Sequence, residues 1–126
     1  MFELFPLDSD ELRTSFETIR TVFMSADSIA LPRYEHDNYH RESGSGLGNP
    51  WFITTMWAAQ YASETNDHAL YEKIMTWLHA QTDNTQMFAE QMNPVDMSPL
   101  SVSPLVWSHA EYMATQLDAI ARKEHE

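Results

Sequence analysis

The chain contains no cysteine. A disulfide framework, a thiolate metal site and a cysteine nucleophile are therefore excluded, and the composition fits a reducing compartment. Cations are few: 7 Lys and Arg stand against 19 Asp and Glu, a formal net charge of -12. Nucleic acids and anionic membranes both recruit Lys and Arg, so neither is an expected partner. Long apolar runs are missing as well. No stretch approaches the ~20 residues of a membrane span, and the N-terminus MFELFPLDSDE is acidic where a signal peptide is basic. A cytoplasmic protein is expected. Glycine is scarce: all 3 lie within residues 43–48, which marks that segment for positive φ or close backbone approach. No window sustains period-two alternation, so no sheet is expected.

What is present is a core. With 43% hydrophobic residues the chain has enough apolar surface to fold, and 126 residues correspond to a single domain over 1–126. Asp8, with Glu11 three residues on, makes a capping-box-like start to a helix over 9–25. Leu12, Phe16, Ile19 and Phe23 share one face of it. Residues 26–49 read as loop. Asn49 and Pro50 then suit the cap and first position of a second helix over 51–63, which is apolar nearly all round and hence buried. A third helix over 67–81 carries a single stripe of Leu70, Tyr71, Ile74, Trp77, Leu78 and Gln81, so it is an outer helix. A fourth begins at Ser103 and Pro104 and runs to 122, with Leu105, Val106, Ala110, Met113, Ala114, Leu117 and Ile120 on a broad apolar face. The alternation of outer and inner helices is that of a layered all-α fold with about four main helices. The apolar start, residues 1–7, should pack against something within or outside the chain.

Antiparallel neighbours make the second and fourth helices run the same way. Their N-termini then share one end, and the two loops leading into them converge there. The first loop carries Arg33, Tyr34, Glu35, Asp37 and Tyr39 and leads to Trp51. The second carries Glu90 and leads to Trp107. Planar donors, carboxylates and aromatic faces in one place are what sugar recognition requires. Trp57 and Trp77 fit packing stripes and are expected in the core. His36, Asp37, His40 and Glu42 include a histidine pair four apart, but they lie in loop with no third histidine near, so no metal is expected. Ser108 and His109 are adjacent on a helix and do not face each other, which argues against a serine–histidine pair.

The segments RYEHDNYH, GNPWFITTMWAAQYA, AEQMNP and SPLVWSHAEYMA, in this order and spacing, resemble the C-terminal part of a glycoside hydrolase family 15 catalytic domain. That is the glucoamylase family, with related bacterial trehalases and glucodextranases, and the resemblance covers nearly the whole chain. It implies helical hairpins belonging to an (α/α)6 barrel, no cofactor, and inverting hydrolysis of terminal α-glucosidic bonds. Glu90 would be the general base. Arg33, with Tyr34 and Asp37 of its motif, would bind an α-glucoside or oligosaccharide, and Trp51 and Trp107 would help wall the pocket. His36 stands where many members have glycine, and the connector 40–47 is longer than usual. Four of twelve barrel helices are represented, and nothing matches the surroundings of the family's general acid. The expectation is a C-terminal fragment or remnant without hydrolase activity of its own. The alternative is a non-catalytic helical module that binds sugar, or that covers open apolar surface by forming a homo-oligomer or by taking up a complementing chain.

Overall fold

The computed structural model describes residues 5–25, 28–44, 46–82 and 87–123. The fold is all-α: four helices, α1 (Asp10–Phe23), α2 (Phe52–Glu64), α3 (His68–Ala80) and α4 (Val106–Lys123), and one two-stranded antiparallel pair, β1 (Gln91–Met92) and β2 (Pro99–Leu100). No described helix is long and apolar enough to cross a membrane.

Helix α1 is capped by Ser9, whose Oγ accepts from Leu12 N at 3.2 Å. The cap expected at Asp8 is displaced by one residue because Ser9 N donates to Pro6 O at 3.0 Å and closes a turn around Leu7 and Asp8. Phe5 and Leu7 remain exposed, so those two positions do not pack within the chain, and residues 1–4 lie outside the described residues. As expected, Phe16 is buried, and Leu12, Ile19 and Phe23 are partly buried against the core that it joins. Its ring meets Tyr61 of α2 at a centroid distance of 4.0 Å.

Helix α2 is buried on most sides, as its composition requires: Phe52, Ile53, Met56, Ala59 and Ala62 are all within 2% of complete burial. Asn49 does not cap it. Trp51 N instead donates to Leu31 O at 2.9 Å, which keeps the backbone extended through Trp51 and delays the helix by a turn's start. Thr54 and Thr55 complete the join: Thr54 Oγ1 donates to Leu31 O at 2.8 Å, and Thr55 Oγ1 accepts from Leu31 N at 2.9 Å. Helix α3, expected over 67–81, begins at His68 with Asp67 as its cap, whose side chain accepts from Leu70 N, and returns along α2 so that Trp77 reaches Phe52.

Helix α4 runs parallel to α2. Trp57 meets Trp107, Gln60 Nε2 donates to Glu111 Oε2 and Thr115 Oγ1, and Glu64 pairs with Arg122. It starts after the cis Ser103–Pro104 bond rather than at it, because Leu105 N is still donating to Phe88 O. Its orientation corrects the expectation of an apolar inner face. Ser108, Thr115 and Ala119 are the buried positions, while Val106, Met113, Leu117 and Ile120 are exposed by 82%, 62%, 62% and 53%. The small polar face packs inward because it makes specific bonds, including Ser108 Oγ to Ala89 O at 2.8 Å.

The helix N-termini converge as expected, but they do so through short backbone ladders that period-two reading does not detect. Leu31 pairs with Trp51, Trp51 with Gln91, and Gln91 with Leu100. Each stretch is one or two residues long, too short to carry an alternation.

Candidate functional site

Arg33 is the centre of this end of the molecule. Its Nε and Nη2 donate to the two oxygens of Asp37 at 2.7 and 2.8 Å, a bidentate pair that fixes the guanidinium plane. The cation lies over three rings: Trp51 at 4.2 Å from the centroid, Tyr39 at 5.0 Å and Tyr34 at 5.4 Å. Asp37 is 1% exposed and also accepts from Tyr39 N at 3.0 Å. The hydrogen bonds from Arg33, followed by that from the Tyr39 backbone, hold its carboxyl below the usual carboxylate range despite burial. Asp37 therefore contributes to the site through Arg33, by orienting it, while its own oxygens are engaged.

Two backbone features let this loop close. His36 and His40 have φ of 59° and 50°, the left-handed region that costs a residue with a Cβ. Gly48 is a matter of space: a Cβ there would stand 2.8 Å from Pro32 Cβ and 3.3 Å from Asp37 Cβ. Only glycine lets residue 48 pass behind the Arg33–Asp37 pair.

Glu90 arrives from the other side. Glu90 N donates to Val102 O at 2.9 Å, and the next residue, Gln91, bridges to Trp51. The Glu90 carboxylate contributes to raising the Arg33 pKa, after the stronger effects of Asp37 and Tyr34, so the two groups share one electrostatic environment. Three buried polar atoms here have no hydrogen-bond partner among the described residues: Trp51 Nε1, Glu90 Oε2 and Gln91 Nε2. An indole donor, an amide donor and a carboxylate acceptor on neighbouring residues are thus open to water or to a ligand.

The segment holding Glu90 is fixed from α4. His109 Nε2 accepts from Phe88 N at 3.1 Å, which makes His109 a structural acceptor. Asn49 is the other clamp. Its Nδ2 donates to His40 O at 2.8 Å and to Gln91 Oε1 at 2.9 Å, and its Oδ1 accepts from Glu42 N at 3.1 Å. It joins the Arg33 loop to the Glu90 strand. Asn49 reads in sequence as a helix cap, and only the buried pairing with Gln91 across 42 residues reveals this second use.

Of the candidate residues, Arg33, Tyr34, Asp37 and Trp51 form one cluster, with Glu90 beside it. Trp107 stands apart: it is half-exposed on α4, its ring partner is Trp57 at 6.1 Å, and its Nε1 donates to Glu111. Trp57, expected in the core, links the two regions by lining an apolar groove of about 230 Å³. Arg33 stands in the wall of that groove, with Phe16, Ile19, Phe23 and Tyr61. Its volume is below the ~300 Å³ typical of drug-sized ligand sites, a space for one small ring. Trp77 packs on Phe52 as expected. Among the described residues no group of three or more histidine and carboxylate side chains is placed to hold a metal. Glu35 is exposed and takes no part in the cluster.

Comparison of the chain with protein-family models, with curated proteins and with solved structures finds no match. What can be said of function rests on the motifs and on this geometry.

Proposed function

We propose that the cluster around Arg33 and Glu90 is a carbohydrate site of the glycoside hydrolase family 15 kind, supplying the base half of an inverting α-glucosidase. The observation that carries this reading is the pairing of an aromatic-walled, in-plane guanidinium with a neighbouring carboxylate whose Oε2 is buried and unpartnered. The guanidinium edge left over by Asp37 donates to vicinal hydroxyls. The rings of Trp51, Tyr39 and Tyr34 offer faces to sugar C–H surfaces. Glu90 accepts the proton of a water directed at the anomeric carbon.

Inversion needs a second carboxyl, protonated and ~6.5–9.5 Å from the first, to protonate the leaving oxygen. Asp37, the other carboxylate of the cluster, is unsuited: Arg33 holds it ionised. The described cluster around Glu90 therefore offers no suited acid, and an acid removed costs on the order of 10²–10⁴ in rate. The test is hydrolysis of maltose, isomaltose and trehalose by the purified chain. No turnover is expected. Turnover that Glu90→Gln abolishes would place a complete catalytic pair within the chain and overturn the half-site reading.

A second reading, a sugar-binding or self-associating helical module without hydrolysis, is favoured by one observation: the apolar face of α4 lies open. The two readings are compatible at the level of the Arg33 cluster and differ only in whether an acid is ever brought to it.

A further inference from the structure

The groove beside Arg33 has a wall chemistry of its own. Phe16, Ile19 and Phe23 of α1 line it together with Trp57, Ala58 and Tyr61 of α2, around a space of about 230 Å³. Thr54 also lines it, but its hydroxyl is spent: Oγ1 donates to Leu31 O at 2.8 Å. Among the described residues no carboxylate lines the groove, and Arg33 is the cation in its wall. That charge is already matched by the bidentate bond to Asp37. Such a wall suits a neutral apolar ring. A second sugar would leave hydroxyls against carbon, and an anion would find no surplus of positive charge.

Given the carbohydrate reading of the Arg33–Glu90 cluster, on which this rests, we propose that the groove holds the leaving group of the glucoside, and that this group is an aromatic alcohol rather than a second glucose. Two observations select that occupant. Arg33 belongs to both places, with its guanidinium in the cluster and its side chain in the groove wall. A sugar at the guanidinium and a ring in the groove are therefore neighbours that one glycosidic oxygen can join. The groove is also built entirely from α1, α2 and residues 31–33, and takes nothing from the segment that presents Glu90. Inversion calls for this division. Water activated by the base attacks one face of the anomeric carbon, and the leaving group departs from the other. The scale agrees, since the space holds one ring, and Phe16, Phe23 and Trp57 offer it aromatic faces and edges.

The experiment is calorimetric titration of the 126-residue chain with methyl α-D-glucoside, phenyl α-D-glucoside and phenol. Methyl glucoside reports the sugar site alone, and phenol reports the groove alone. Phenyl glucoside should bind ~10-fold more tightly than either, because the ring adds buried apolar area without a second association cost. Ile19→Trp fills the groove from a partly buried position and should bring the two glucosides to equal affinity. Equal affinity of the two glucosides for the wild-type chain would overturn the leaving-group assignment and leave the sugar reading standing. Phenyl glucoside no tighter than phenol, with no heat from methyl glucoside, would overturn both, because the ring would then bind without the sugar. Binding of none of the three would also overturn both. A phenyl advantage that survives Ile19→Trp would place the ring outside the groove and overturn the proposal.

Discussion

Asn49 donates to Gln91 Oε1 at 2.9 Å in the fully buried interior, and this one bond connects the loop that holds Arg33 to the strand that presents Glu90. With Trp51 N on Leu31 and Met92 N on Pro50, it makes the two loops one unit. Asn49→Ala removes three hydrogen bonds and leaves Gln91 Oε1 and His40 O without that donor. A loss of ~1–3 kcal/mol is expected in chemical denaturation, together with weaker binding at the proposed sugar site. Unchanged stability would show that the Asn49 bonds do not hold the loops.

Gly48 and His36 make contrasting predictions. Gly48→Ala drives a Cβ to within 2.8 Å of Pro32 Cβ, and since that neighbour is a rigid ring the loop must move, at a cost of ~1–3 kcal/mol. His36→Gly removes a side chain from a left-handed position with φ 59°. Relief of ~1 kcal/mol of backbone strain is offset by a similar gain in unfolded-state entropy, so stability should change by less than ~1 kcal/mol. Thermal melts of the two variants side by side check both. A destabilised His36→Gly beside a neutral Gly48→Ala would contradict the loop geometry.

The Arg33–Asp37 pair gives a pH dependence of defined sign. The folded Asp37 carboxyl titrates below its unfolded value. The pair therefore contributes its full stability above an ordinary aspartate pKa of ~3.9 and loses it as pH falls through the depressed folded value. Denaturation curves from pH 6 downward should show the wild type losing stability more steeply than Asp37→Asn in the acid range. Parallel curves for the two proteins would mean that the pair does not stabilise the fold.

Glu90 Oε2 is buried and has no hydrogen-bond partner among the described residues. Glu90→Gln keeps the shape and removes the charge, so the melting temperature should hold or rise while any role as a base is lost. A clear fall in melting temperature would make Glu90 a structural carboxylate.

Much of this was legible in the residues. The stripe of α1, the all-round burial of α2 and the extent of α3 follow from local pattern, and the convergence of the two loops follows from helix order alone. Three features were not legible for physical reasons. The starts of α1, α2 and α4 shifted because a backbone N–H of Ser9, Trp51 or Leu105 had already been taken by a carbonyl outside the helix. Asn49 reads as a cap because its buried partner lies 42 residues away. The inversion of α4 defeats amphipathic reading outright: periodicity reports that an apolar face exists, and the bonds of Ser108, Thr115 and Glu111 decide that it points outward.

The most direct test of the proposed sugar site is a calorimetric titration of the 126-residue chain with maltose, repeated on Arg33→Met. Saturable binding in the ~1–10 mM range, about 3–4 kcal/mol, that disappears in the variant while its melting curve stays cooperative is the expected result. No saturable heat up to ~100 mM, or equal binding by both proteins, would contradict a carbohydrate site at Arg33 and Glu90.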